Sequence, residues 1–268
     1  MQSMATINLA ELDIKSRQFF ESFLLFYSGW NKGQSRKVEI KKQHCFRVSE
    51  LAGKIAASLL LEKEDVALAR IAGLLHDLGR FPQLLKFNTY DDTVSGDHAA
   101  MGIDELERGN ILQNVNTEAA RIIKVAIYQH NKPELPETLS AREMLFCRIL
   151  RDADKLDILE SLTNNYSNPL EEVNHTMSWD LPRGKGISDD VATVAKSGKA
   201  VAKEDIKTMD DIKIMQLSWV YDLNFKASFR ILANGRYVDK IYGTLPKRDV
   251  VIDIYRHVRI YVENQFMN

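Results

Sequence analysis

Apolar residues recur at three- and four-residue intervals along nearly the whole chain, and strand-like alternation between turn signals is almost absent. That spacing lays an apolar stripe along one side of an α-helix and does not suit a pleated strand, whose side chains alternate with a period of two. The chain is therefore expected to be all-α. With 268 residues, 45% of them hydrophobic and 27% charged, it can bury a substantial core, and one domain, or one domain with an appendage, is the expectation. No internal repeat or low-complexity segment is found.

Helix signals divide the chain into an N-terminal helix and turn over 1–36, a helical core over 37–166, an irregular excursion over 167–210, and C-terminal helices over 211–268 that complete the same domain. The first helix covers Leu9 to Tyr27, and Asn31 and Gly33 mark a polar turn from Ser28 to Arg36. The next runs from Ile40 to Leu61, with His44 on the face of Val48, Leu51 and Ile55. A third opens on Glu64-Asp65 and is expected to stop at Gly79 in a left-handed cap, carrying His76-Asp77 in its last turn. Ser95 or Asp97 caps a short helix bearing His98. A helix from Asn116-Thr117 ends on His130 ahead of Pro133, and a capping box at Ser140 and Glu143 starts the helix that carries RDADKLD through Leu162. Pro169, Pro182, Gly184, Gly186 and Gly198 mark the excursion as a surface segment with one short helix, expected to border the functional site.

Lys and Arg total 36 against 37 Asp and Glu, so the whole molecule has no net attraction for nucleic acid or an anionic membrane. No strong nucleic-acid signal and no membrane partner are expected. The run Arg36-Lys37 to Lys41-Lys42, interrupted by Glu39, reads most simply as a solvated helix start, with help in drawing in a phosphate ester as the alternative. The first thirty residues lack a secretory pattern, and no apolar stretch approaches the roughly 20 residues that span a bilayer. Cys45 and Cys147 sit in helical patterns and suggest no disulfide, which fits a reducing cytoplasm.

Four of the six histidines, His44, His76, His98 and His130, fall on or beside four successive helices near the stripes that should face the core. Imidazole is a poor core filler unless its nitrogens are partnered, and a metal ion partners one nitrogen of each ring. His175 and His257 read as surface residues, and the aromatic series from Trp219 to Phe229 as core. In His76-Asp77 the adjacent side chains diverge by about 100° around a helix, so the imidazole can bind one ion while the carboxylate reaches between two. Nitrogen and carboxylate oxygen together suit Mn²⁺, Fe²⁺, Co²⁺, Ni²⁺ or Zn²⁺, with Mg²⁺ less favoured. A closing carboxylate could come from Asp152, Asp154 or Asp157. A helical wheel puts Arg148, Arg151 and Lys155 on the wet face with Asp152 beside it, and does not separate Asp154 from Asp157.

The order His44, His76-Asp77 within HDLGR, then Ala153-Asp154-Lys155-Leu156 resembles the HD-domain metal-dependent phosphohydrolase superfamily over about Lys41 to Leu162. The resemblance implies an HD-domain helical bundle with a C-terminal helical extension. It also implies that His44, His76, Asp77 and Asp154 bind one divalent ion, which favours Asp154 over Asp157. His98 and His130 resemble the additional ligands of binuclear members, with Asp77 bridging two ions. The paired His-His and GYP element of the cyclic-dinucleotide subfamilies is absent, since Asn131 follows His130. The implied chemistry is hydrolysis of a phosphate ester of a nucleotide or small phosphorylated metabolite, by a metal-activated hydroxide. Asp77 and Arg80 are the catalytic candidates, and Arg80 and Lys155 the candidates for binding substrate phosphate. The rivals are an HD-type di-iron oxygenase and a non-catalytic nucleotide-binding module.

Overall fold

The computed structural model describes residues 8–26, 31–167 and 186–267. Every regular element among them is helical. The chain forms two compact units that divide between Asp154 and Lys155, inside one long helix.

The first unit contains α1 (Leu9–Phe26), α2 (Lys32–Ser58), α3 (Lys63–Leu75), α4 (Arg80–Phe87), α5 (Asp92–Ser95), α6 (His98–Arg108), α7 (Thr117–Gln129) and the start of α8 (Ala141–Ser167). α3 is apolar on nearly every side, with Leu68, Ile71, Leu74 and Leu75 fully buried. A helix of that kind belongs at the centre of a unit, and α1, α2 and α7 pack around it. Gly73 brings α2 close, since a β-carbon there would lie 2.9 Å from Ser49 Cα. Phe20 of α1 meets Phe46 and Phe81 edge-on, with centroids 5.6 and 5.8 Å away.

Three boundaries differ from expectation. α2 begins at Lys32 rather than Ile40, because Asn31 serves as its N-cap. Asn31 Oδ1 accepts from Gln34 N at 2.9 Å, and Gln34 Oε1 accepts from Asn31 N at 3.2 Å. α3 ends at Leu75, and after a short turn the chain re-enters a helix at Arg80. Gly79 has φ −66°, so it is no left-handed cap; that conformation falls to Asn88 at the end of α4, with φ 53°. Gly79 is small for a different reason. A β-carbon on it would lie 2.0 Å from His98 O and 2.6 Å from Gly102 N, so it marks a close approach to α6. Three caps use side chains marked by the sequence: Asp97 for α6, Asn116 for α7, and the Ser140–Glu143 pair for α8.

The second unit holds the rest of α8 with α9 (Asp189–Lys196), α10 (Met209–Ser218), α11 (Lys226–Asn234), α12 (Tyr237–Gly243) and α13 (Asp249–Met267). Asp211, fully buried, accepts from Ser188 N, Ser188 Oγ, Lys207 N and Thr208 N, all within 3.0 Å. One carboxylate thus ties down the segment that leads into α10, which composition alone marks as irregular. Residues 168–185 of the expected excursion, including His175, lie outside the described residues. His257 is exposed, and Phe229 is buried against Tyr261. No helix among the described residues is long and apolar enough to cross a membrane.

Candidate metal centre

Six side chains from five helices and the turn after α3 converge in the first unit. His44 comes from the middle of α2, His76 from the C-cap of α3, and Asp77 from the turn that follows. His98 is the first residue of α6, His130 the C-cap of α7, and Asp154 lies on α8. Three of the histidines therefore sit at helix ends, where the backbone places an imidazole against a neighbouring element.

Asp77 is the centre of the group. Its Oδ2 lies 3.4 Å from His44 Nε2 and 3.3 Å from His76 Nε2. Its Oδ1 lies 3.4 Å from His98 Nε2 and 3.7 Å from His130 Nε2. Asp154 Oδ1 closes the first side, 3.2 Å from His44 Nε2 and 3.7 Å from His76 Nε2. Donor atoms of His44, His76 and Asp77 lie within 4.8 Å of one another, as do those of Asp77, His98 and His130.

Hydrogen bonds at the far side of each ring define what faces the centre. His76 Nδ1 lies 2.8 Å from Gly73 O, His130 Nδ1 2.6 Å from Ile127 O, and His98 Nδ1 2.6 Å from Asp92 Oδ2. These partners only accept, so each Nδ1 carries a proton, and in a neutral ring the Nε2 then presents a lone pair inward. His98 Nε2 and His130 Nε2 then face each other at 3.0 Å, lone pair to lone pair, an arrangement that calls for a cation. His76 Nε2 and Asp154 Oδ1 are buried with no hydrogen-bond partner among the described residues. The donor set is nitrogen, carboxylate and no thiolate, and it fits divalent ions of the Mn²⁺-to-Zn²⁺ series.

The charges agree with that fit. Burial opposes ionisation of Asp77, but Lys41 and His76 outweigh it and hold the carboxyl well below the usual range. Burial works against a charged His76, yet Asp77 and Asp154 raise it to about 10, so in the metal-free chain a proton occupies the place that their field offers to a cation. Burial pushes His130 down to about 4.

Lys41, one turn before His44, puts Nζ 2.6 Å from Asp77 Oδ2. Its spacing of three from His44 on a shared helix face is the signal by which it could have been found. Arg80 and Lys155, the candidates for holding substrate phosphate, are both engaged within the protein. Arg80 Nη1 donates to Gln83 Oε1, Tyr90 O and Asp92 Oδ1 at 2.9, 2.5 and 2.9 Å. Lys155 pairs with Asp222 at 2.8 Å. Of the wet face expected of α8, Arg148 is exposed and Lys155 partly so, but the rest is not. Arg151 and Asp152 are both buried, and the Arg151 guanidinium donates to Lys132 O and, at 3.2 Å, to Pro133 O, the carbonyls that follow His130. Asp157 is fully buried as well, and among the described residues it is Asp154 that joins the histidine groups.

Residues 42–159 match the family model described as HD domain. Curated relatives include Ribonuclease Y of Latilactobacillus sakei, 28% identical over 188 residues, covering 64% of this chain and 32% of that protein. A Ribonuclease Y of Thermus thermophilus is 38% identical over 100 residues, or 37% of this chain and 14% of the relative. That of Desulforamulus reducens is 36% identical over 99 residues, again 37% of this chain and 16% of the relative. The chain thus matches no more than a third of the length of these relatives. No solved structure matches it. The family and the relatives support an HD-type phosphohydrolase. The expectation of a small phosphorylated partner without a nucleic-acid signal is overturned by these relatives, which are ribonucleases by name. Net charge averages over the whole chain, so it does not register a local basic stretch such as that on α2.

Proposed function

We propose that this chain hydrolyses phosphodiester bonds of RNA at a centre of two divalent ions. The observation that carries the two-ion reading is the division at Asp77, one oxygen facing His44 and His76, the other facing His98 and His130. His44, His76, Asp77 and Asp154 would hold one ion, and His98, His130 and Asp77 the other. When bound, the ions supply positive charge for a phosphoryl group and make water acidic enough to attack near neutral pH. Water adds to phosphorus and the bond to one sugar oxygen breaks, giving a phosphomonoester and a hydroxyl.

The chain's own residues prepare this. Asp77, held ionised, is shared without itself taking a proton. The three Nδ1 hydrogen bonds hold a proton at the rear of each ring, so no ring must change its tautomer before binding, and His76 has only its inward proton to give up. Lys41, partly exposed, offers a donor beside Asp77 for a non-bridging phosphate oxygen. Lys37 lies one turn further back on the same face of α2, about 6 Å along the helix, and could meet the next phosphate of a strand. The RNA reading rests on the ribonuclease relatives and on this basic face.

The test is cleavage of an end-labelled single-stranded RNA by chelator-treated protein, with and without Mn²⁺, Co²⁺ or Mg²⁺. Metal-dependent cleavage that is lost in Asp77→Asn is expected. Intact RNA with every metal, beside turnover of mononucleotides, would contradict the substrate assignment.

A further inference from the structure

His76 and His130 donate their Nδ1 protons to main-chain carbonyls, whereas His98 donates to a side-chain carboxylate, Asp92 Oδ2, at 2.6 Å. Asp92 belongs to α5, outside the HD motif, and is itself held from α4. Its Oδ1 accepts from Arg80 Nη1 at 2.9 Å and from Gln83 Nε2 at 2.8 Å. Gln83 is fully buried, accepts from Arg80 Nη1 at 2.9 Å and donates to Ser95 Oγ at 2.5 Å. Two donors thus fix one oxygen of Asp92 and leave the other for His98. Because α4 follows the His76-Asp77 turn directly, the segment that supplies Asp77 also anchors the carboxylate behind His98.

Building on the two-ion reading, we propose that Asp92 is a positioning residue for the ion held by His98 and His130, and that Arg80 and Gln83 act through Asp92. A carboxylate behind an imidazole does two things: it keeps the proton on the rear nitrogen and enriches the front nitrogen in electron density. Without Asp92 the His98 proton is free to settle on Nε2, where it would point an N–H at Asp77 Oδ1 in place of a lone pair. The effect is one-sided, since Asp92 stands behind His98, whereas His44, His76 and Asp154 gather around the other oxygen of Asp77. Arg80 Nη1, already donating to three acceptors, serves this relay and not the substrate.

Two readouts test this without activity: histidine ¹H–¹⁵N spectra of the metal-free protein, which report the tautomer, and calorimetric titration with Mn²⁺. Wild type is expected to show His98 protonated on Nδ1. In Asp92→Ala the Nε2–H tautomer should gain population, and one Mn²⁺ site should weaken by about 10–100-fold while the other keeps its affinity. Asp92→Asn, close in shape, should fold as wild type does and fall between the two. Arg80→Met should weaken the same site, and adding it to Asp92→Ala should cost little more, as expected for residues acting in series. His98 protonated on Nε2 in wild type, or unchanged tautomer and Mn²⁺ affinity in Asp92→Ala, would overturn the proposal. Full additivity of Arg80→Met and Asp92→Ala would overturn its Arg80 part and return Arg80 to the substrate. If wild type bound no second ion, the two-ion reading would fail instead, and the tautomer spectra would still decide whether Asp92 orients His98.

Discussion

Gly79→Ala puts a single methyl group where α6 comes closest to the turn after α3. The β-carbon would fall 2.0 Å from His98 O, 2.6 Å from Gly102 N and 2.9 Å from Met101 Cβ, whereas real β-carbons essentially never approach within 3.0 Å. Two of the three obstacles are main chain, so a rotamer change cannot relieve them. With φ at −66° the alanine backbone is unstrained, and the effect is purely steric. The start of α6 must retreat by about 1 Å, at a cost of about 1–3 kcal/mol for overpacking. In a chain of this size that lowers Tm by roughly 2–12 °C. The retreat carries His98 with it, and metal–ligand distances tolerate only about 0.2 Å. Differential scanning fluorimetry and Mn²⁺ calorimetry should therefore show a lower Tm and selective weakening of one ion site, because His44, His76 and Asp154 are not on α6. An alanine variant with wild-type Tm and two unaltered Mn²⁺ sites would refute the steric reasoning.

Asp77→Asn should remove both ions and hydrolysis while leaving far-ultraviolet circular dichroism helical; Asp154→Asn should remove one ion only, as metal analysis would show. Lys41→Met removes the ammonium 2.6 Å from Asp77 Oδ2. It should lower the Tm of chelator-treated protein, yet enlarge the rise in Tm on adding Mn²⁺, since no ammonium then competes for that oxygen; an unchanged metal-free Tm would count against it. The pH dependence of the metal-free protein has two arms. His76, raised in the fold to about 10 from 6.5, contributes stability that is full below pH 6.5 and lost as pH climbs towards 10. His130, lowered to about 4, makes stability fall as pH drops from 6.5 to 4, because the unfolded chain takes a proton that the fold refuses. Urea unfolding at pH 4.5, 6.5 and 9 should give its highest midpoint at 6.5; a midpoint still rising at pH 9 would contradict the His76 arm.

The helices and the histidines were legible because each leaves a local mark: apolar spacing, a cap, a polar ring on an apolar face. What escaped was set by contacts between elements distant in sequence. Gly79 reads as a helix stop by composition, and only the backbone of α6 passing beside it reveals its purpose. Arg151 looks like a solvated residue on a wheel. Its burial follows from carbonyls near residue 132 that no wheel includes. Asp92 lies in a loose stretch of TYDDTVSGD with no pattern of its own, and its meaning comes from His98 and Arg80. Asn31 shows the opposite error: a residue that suits a turn also suits a helix start, and Gln34 three positions on was the deciding sign.

The most direct test of the centre is anomalous diffraction at the manganese edge from crystals of the Mn²⁺-loaded protein. Two peaks are predicted, one between His44, His76 and Asp154, the other between His98 and His130, with Asp77 contributing one oxygen to each. A single peak in fully loaded, active protein, or a peak away from Asp77, would contradict the account.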